Sequence, residues 1–301
     1  MNQCAAVSSP LTIFMHIPKA AGTTLRYIIQ YQAPPQRIYE LYGSAANHSR
    51  RLAQLQHLTP EQRQGIRFVS GHLGFGLHRY FEQPATYITV LRNPVNRVIS
   101  MYSYLCKTRS NFRESLTLEE FIRHAGRYTQ NNLTKYFSGA KLAIQVHEPH
   151  LLEENADRLY PVDDAALSLA KENIVNYFSV TGLIEHFDET LVLMQELLGW
   201  RLPLYSRSNV SSSEQIYQDV DPSVIELIED VNKYDIELYN FVENRFHEQL
   251  AAQPPSFFNY LNDYVKAKEE AQLRKLADGC HYYINRVTHR FYKEVVRRYA
   301  Y

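Results

Sequence analysis

The apolar run Leu11 to Ile17 stops at Pro18, and beyond a loop of small residues the stretch Thr24 to Gln32 has helix-compatible spacing. That order predicts strand, loop and helix. It recurs at Thr86 to Leu91, a β-branched and aromatic run followed by Arg92-Asn93-Pro94 and a helical pattern from Val95 to Lys107. Pro94 suits the first turn of that helix. Ile66 to Val69 predicts a third short strand, and Tyr177 to Gly182 a fourth, ahead of an amphipathic helix from Phe187 to Leu198. Strands alternating with helices predict an α/β fold with a central, mostly parallel sheet flanked by helices. From Asp221 onward the apolar positions keep helical spacing, Pro254-Pro255 interrupts them, and a further helical pattern fills Phe257 to Tyr301. The expected organisation is one α/β domain over residues 1–253 and a helical C-terminal extension over 254–301.

Composition narrows the partners. Lys and Arg number 32 and so do Asp and Glu, so no global field draws the chain to nucleic acid or to a membrane, and electrostatic binding has to be local. Cys4, Cys106 and Cys280 are far apart and lack the spacing of a zinc site or a disulfide framework. No apolar run reaches the roughly 18 residues of a membrane span, and the N-terminus shows no export signal. These features predict reduced thiols in a cytoplasmic chain without a transmembrane span. His147-Glu148-Pro149-His150 tempts a metal reading, but the proline breaks the spacing that would converge the side chains, so it reads as a loop and no metal is expected.

The candidate chemistry begins at the first strand end. Pro18-Lys19-Ala20-Ala21-Gly22-Thr23-Thr24 opens a helix, which gathers backbone N–H groups and the positive helix end around one point. Ala20, Ala21 and Gly22 let the backbone approach oxygens closely, Thr23 and Thr24 add hydroxyl donors, and Lys19 adds a charge. Taken alone, the loop is equally an ordinary turn with a surface lysine. A Walker A loop would place its lysine beside the hydroxyl residue, whereas Lys19 precedes the glycine by three positions. At the second strand end, Arg92 can fork onto phosphate oxygens, and Ser100, eight residues on, can supply a hydroxyl. Arg97 is a third candidate, and local capping or packing accounts for these residues equally well.

The stretch HIPKAAGTT, His16 to Thr24, together with LRNPVNRVISMY, resembles the two donor-binding motifs of the sulfotransferases, in the branch containing the heparan sulfate 2-O- and 6-O-sulfotransferases. NNLTKYFSG at Asn131 to Gly139 and VTGLIEHFDETL at Val180 to Leu191 extend the likeness, which covers roughly residues 11 to 250. The resemblance implies a P-loop-NTPase-like domain; the family's glycosaminoglycan enzymes are anchored Golgi membrane proteins, and this chain, in which no such anchor is visible, reads as a soluble, bacterial-type member. It also implies 3′-phosphoadenosine 5′-phosphosulfate as donor and no metal requirement. The loop from Lys19 to Thr24 would hold the 5′-phosphosulfate, while Arg92 and Ser100 would grip the 3′-phosphate. It further implies a hydroxyl-bearing acceptor, a saccharide or glycoconjugate, attacked in line.

An alcohol needs a general base at neutral pH, and His72, flanked by Gly71 and Gly74, is the candidate. Glycosaminoglycan sulfotransferases of this type carry a catalytic histidine in the corresponding segment. His78 is the alternative, and His16, in the strand before the loop, reads as a structural residue that orients it. Lys19 would stabilise charge growing on the leaving phosphate. Tyr205, Arg207 and Asn209 are expected near the adenine or the 3′-phosphate, while Asn131 and Lys135 either face an acidic saccharide or lie on a helix surface. The segment His281 to Tyr301 carries five Lys or Arg against one acidic residue. It either docks through Ile284, Val287, Phe291 and Val295 or meets an anionic surface peripherally. Two other readings stay open: a nucleotide phosphotransferase with a variant loop, and a non-catalytic nucleotide- or polymer-binding module.

Overall fold

The computed structural model describes residues 10–43, 45–109, 112, 116–142, 161–205 and 220–277. Five parallel strands form one sheet in the order β2-β3-β1-β4-β5, with β1 Leu11–Met15, β2 Ile38–Leu41, β3 Phe68–Gly71, β4 Ala85–Leu91 and β5 Phe178–Leu183. All of β1 is buried, which explains why its sequence is a nearly continuous apolar run and not an alternating one. Leu11, Ile13 and Met15 face one side of the sheet and Phe14 the other. Each such side chain, fully buried, contributes roughly 1.5–3 kcal/mol. The buried Thr89 hydroxyl donates to the Met15 carbonyl at 2.7 Å and ties β4 to β1 near their carboxyl ends.

Four of the strands lie where the apolar runs place them. The fifth, β2, carries no clear signal: its sequence Ile-Tyr-Glu-Leu sits at the sheet edge, with three of four residues only half-buried. Its Glu40 is held by Arg26 of the helix α1, Gly22–Gln30, through Nε at 2.8 Å and Nη2 at 2.6 Å. Helix α2, Ala45–Gln56, and the short α3, Pro60–Gln64, connect β2 to β3. Thr59 and Gln62 form a capping box at the start of α3.

The long helix α4, Pro94–Thr108, follows β4 with Pro94 in its first turn and Asn93 as N-cap, whose side chain accepts from the Val95 and Asn96 amides. Three further short helices are α5 Leu118–His124, α6 Gly126–Thr129 and α7 Asn132–Ser138. Helix α8, Asp164–Tyr177, leads into β5, and α9, Phe187–Leu198, leaves it. The remaining helices are α10 Pro222–Val231, α11 Lys233–Ala251 and α12 Pro255–Ala277. The main core surrounds the sheet, and a second cluster, including Val98, Ile99, Phe121 and Ile228, fills the space between α4, α5 and α10.

The expected break at Pro254-Pro255 is present as the turn between α11 and α12. Helix α12 packs on α9, and its Phe257 and Tyr264 join the main core. Buried Lys268 of α12 pairs with Asp188 at the start of α9, and Asp188 also accepts from the Tyr205 hydroxyl at 2.8 Å. Among the described residues no helix is long and apolar enough to cross a membrane. The segments around His147 and beyond residue 277, including the basic stretch from His281, lie outside the described residues.

Candidate functional site

In a parallel sheet every strand delivers its carboxyl end to the same edge, and the crevice opens where the strand order reverses. Here that point is β1: the chain builds β2 and β3 on one side of it, then crosses to β4 and β5 on the other. The Lys19 loop leaves β1, His72 leaves β3 and Arg92 leaves β4. Three segments distant in sequence thus arrive at adjacent strand ends.

The loop after β1 is wound to present its amides. Lys19 has φ 72° and Ala21 φ 53°, both in the left-handed region, each at a cost on the order of 1–3 kcal/mol. Such turns aim successive N–H groups into one concavity, an anion nest. Ala21 is the N-cap of α1 and makes no side-chain capping bond, so the positive end of the helix faces the same hollow. Ala20 is buried beneath it, Thr23 is exposed and Thr24 half-buried in the first turn. The Lys19 ammonium rests over the Tyr104 ring at 4.3 Å. Its pKa is lowered by burial first, then by Arg92 and Lys107. Several cations therefore share one mouth, which favours an anion between them.

Arg92 lies at the end of β4, half-buried, and the turn after it is braced from β5: the Asn93 amide donates to Glu185 Oε1 at 3.2 Å, and the Ile184 amide donates to the Leu91 carbonyl at 2.8 Å. Ser100 is buried on α4, on the same face as Tyr104 and Lys107. Arg97 is spent elsewhere. Only 2% exposed, it faces Asp235 of α11 at 4.0 Å and donates to the Tyr128 carbonyl at 3.3 Å. It is a core residue, because its position on α4 points it into the packing between α4, α7 and α11.

His72 is partly buried, and its Nδ1 lies 2.9 Å from the His16 carbonyl oxygen. A carbonyl only accepts, so the neutral ring carries its proton on Nδ1 and its lone pair on Nε2, the form a general base requires. Burial is the main cause that lowers its pKa, opposed by that hydrogen bond, with Arg26 and Lys141 adding further downward pressure. Its ring packs on His16 at 4.3 Å and edge-on to Tyr42 at 5.2 Å. Gly71 is required by a close approach, since a Cβ there would fall 2.3 Å from the Leu41 carbonyl oxygen.

The alternative base is placed differently. His78 hydrogen-bonds the Tyr87 hydroxyl at 3.0 Å and stacks on Tyr177 at 4.8 Å. Tyr87 lies in the amino-terminal half of β4 and Tyr177 ends α8 just before β5, both away from the loop, because the chain leaving β3 returns to the opposite edge of the sheet before the parallel β4 begins at Ala85. Asn131 is also a framework residue: its side chain accepts from the Tyr234 and Asp235 amides at 3.1 and 3.3 Å. Lys135 is buried within α7, not displayed on a surface. Tyr205 stands in the Asp188 and Lys268 network, while Arg207 and Asn209 lie outside the described residues.

Sequence reasoning passed over Tyr42, Ser70, Tyr104, Lys107 and Glu185. Tyr42 follows the unheralded edge strand, and nothing in its local pattern signals a role. Buried His48 on α2, whose pKa burial presses to about 4, is a further neutral imidazole on the His72 side. Among the described residues, no group of three or more His, Cys, Asp or Glu could hold a metal ion.

A family model described as galactose-3-O-sulfotransferase matches residues 3–285. Galactose-3-O-sulfotransferase 3 of Bos taurus is 28% identical over 193 residues, 61% of this chain and 44% of that protein. The Homo sapiens protein of the same name is 28% identical over 61% of this chain and 43% of its own length. Galactose-3-O-sulfotransferase 2 of Sus scrofa is 30% identical over 48% of this chain and 35% of its own. The aligned region thus spans less than half the length of these curated relatives. A solved structure of mouse sulfotransferase SULT7A1 complexed with PAP aligns over 92% of this chain and 90% of that one. Its identity is 15% and its TM-score 0.34. These relatives carry the galactose-3-O name, where the motifs alone resembled the heparan sulfate branch.

Proposed function

The chain belongs to the galactose-3-O-sulfotransferase family, and from that premise we propose that it moves a sulfuryl group from 3′-phosphoadenosine 5′-phosphosulfate onto a saccharide hydroxyl, with a galactoside as the acceptor class. The observation that carries this reading is the meeting of the Lys19 loop, Arg92 and His72 at the carboxyl ends of β1, β4 and β3. The nest and the start of α1 suit the 5′-phosphosulfate, and Arg92 with Ser100 suits the 3′-phosphate at the other end of the nucleoside.

The acceptor oxygen forms a bond to sulfur as the bond from sulfur to the 5′-phosphate oxygen breaks, and the acceptor proton passes to His72 Nε2. Adenosine 3′,5′-bisphosphate leaves, with Lys19 and the loop amides stabilising the charge that grows on its 5′-phosphate. No covalent intermediate is needed. Catalysis rests on positioning and on donors already aimed at the developing charge.

The test is transfer of radiolabelled sulfate from the donor to a panel of sulfate-free galactosides, other saccharides and tyrosine peptides. Label on a galactoside supports the reading, and label on tyrosine peptides alone sinks the acceptor class. Thermal stabilisation by ATP with magnesium but not by adenosine 3′,5′-bisphosphate would sink the donor. In the same format, Lys19→Ala and Arg92→Ala are each expected to weaken bisphosphate binding by about ten- to a hundredfold, the loss of one charge-assisted contact. Isothermal titration calorimetry checks this, and wild-type affinity in both variants would remove them from the donor site.

A further inference from the structure

His16 directly follows β1 and is 7% exposed, a placement that invites a purely structural reading. Its ring, however, is set against the donor loop. A Cβ built on Gly22 would fall 1.9 Å from both Cδ2 and Nε2 of His16, so this edge of the imidazole occupies the space beside the first residue of α1. Gly22 is where the helix offers its first orphan amide. Among the described residues no hydrogen bond ends on Nε2, whereas Nδ1 lies 3.0 Å from the Tyr42 hydroxyl. That hydroxyl lies 2.7 Å from Ser70 Oγ. Phe14 stacks on the ring at 5.2 Å, and Arg26 covers the Tyr42 ring at 4.2 Å, so the orientation is held from several sides.

Tyr42 has one hydroxyl proton, and its direction decides what His16 shows to the loop. When Ser70 donates to Tyr42 and Tyr42 donates to His16 Nδ1, the ring proton sits on Nε2 and faces the loop. The opposite order turns a lone pair toward the loop. An anion held there repels a lone pair and attracts an N–H, so binding selects the first order.

Resting on the donor assignment above, we propose that His16 is a binding residue of the donor loop. With Ser70 donating to Tyr42 and Tyr42 to Nδ1, its neutral imidazole is held in the bound state as the Nε2–H tautomer, which donates to an oxygen of the 5′-phosphate group. The neutral state is consistent with a pKa held well below the usual value by burial, then by His72 and Arg26. The same ring supports His72 through its backbone carbonyl, so one residue spaces the donor loop from the base.

The experiment is calorimetric titration of adenosine 3′,5′-bisphosphate into wild type, His16→Phe and His16→Gln, with imidazole 15N spectra of the wild-type complex. His16→Phe keeps a ring beside Gly22 but loses the N–H, and is expected to bind about ten- to a hundredfold more weakly. His16→Gln, whose amide can donate from a similar reach, is expected to recover part of that loss, a rescue that simple packing would not produce. The spectra, with the His16 signal assigned by its loss in His16→Phe, are expected to show the Nε2–H tautomer in the complex. Wild-type affinity in His16→Phe, or an Nδ1–H tautomer in the complex, would overturn the proposal. If neither variant folds, the wild-type spectra decide, with the His16 signal assigned by its through-bond connection to the backbone. Failure of wild type to bind bisphosphate at all would refute the donor assignment, and the role of His16 with it.

Discussion

His72→Ala is expected to lose sulfuryl transfer by about a hundred- to ten-thousandfold, the range of a positioned general base, while binding adenosine 3′,5′-bisphosphate as wild type does. The separation follows from the geometry: His72 leaves β3, next to the Lys19 loop but outside its hollow, and its ring contacts the His16 carbonyl. Measuring kcat and bisphosphate Kd on the same preparation tests both halves. Turnover within threefold of wild type would move the base elsewhere. A pH profile adds an independent check. The base works in its unprotonated form, and its pKa is lowered from the usual 6.5 chiefly by burial. Activity is therefore expected to persist as pH falls through 6.5 and to be lost only below the lowered value. An acid limb above 6.5 would contradict the assignment.

Asp235→Ala is expected to destabilise the fold by about 3–5 kcal/mol, the cost of stranding a buried charge, against a total stability of roughly 5–15 kcal/mol. Asp235 is fully buried and accepts from the Leu133 and Thr134 amides at 2.8 Å each and from the Thr134 hydroxyl at 2.9 Å, while facing Arg97 at 4.0 Å. Burial pushes both partners toward neutrality, lowering the pKa of Arg97 and raising that of Asp235, and their mutual attraction opposes it. Removing the carboxylate uncaps α7 and leaves the guanidinium buried on α4, the helix that carries Ser100. Denaturant unfolding measures the loss. A shift under about 1 kcal/mol would mean that water reaches Arg97. The double variant Asp235→Leu with Arg97→Met, which removes both charges, is expected to recover part of the stability.

The contrast between Arg92 and Arg97 shows where sequence reasoning stops. Both follow a strand in one motif, and both are chemically able to bind phosphate. Arg92 lies in the turn at the strand end and meets the crevice, whereas Arg97, further along α4, is rotated into the core. Helical phase can be read from spacing, but which face meets which neighbour depends on α11, more than a hundred residues away. The same holds for His72 and His78. Local glycines make either a plausible base, and only the register of β3 against β1, with Met15 opposite Gly71, puts His72 beside the loop.

By itself the sequence determined the strand, loop and helix order at the Lys19 and Arg92 segments, four of the five strands, and the small residues of the loop after β1. These features are local, because periodicity, proline and glycine act within a few residues. Tertiary structure alone decided that β2 is a strand, since an edge strand is stabilised by pairing with β3 and by the Arg26 and Glu40 contact more than by its own pattern. It also decided that Asn131, Arg97 and His78 are held by framework contacts and that Ser70, Tyr42 and His16 join in one hydrogen-bond chain. The physical reason is that a hydrogen-bond chain such as Ser70, Tyr42 and His16 is assembled by a parallel sheet from three separate strand ends, and no local pattern encodes that meeting.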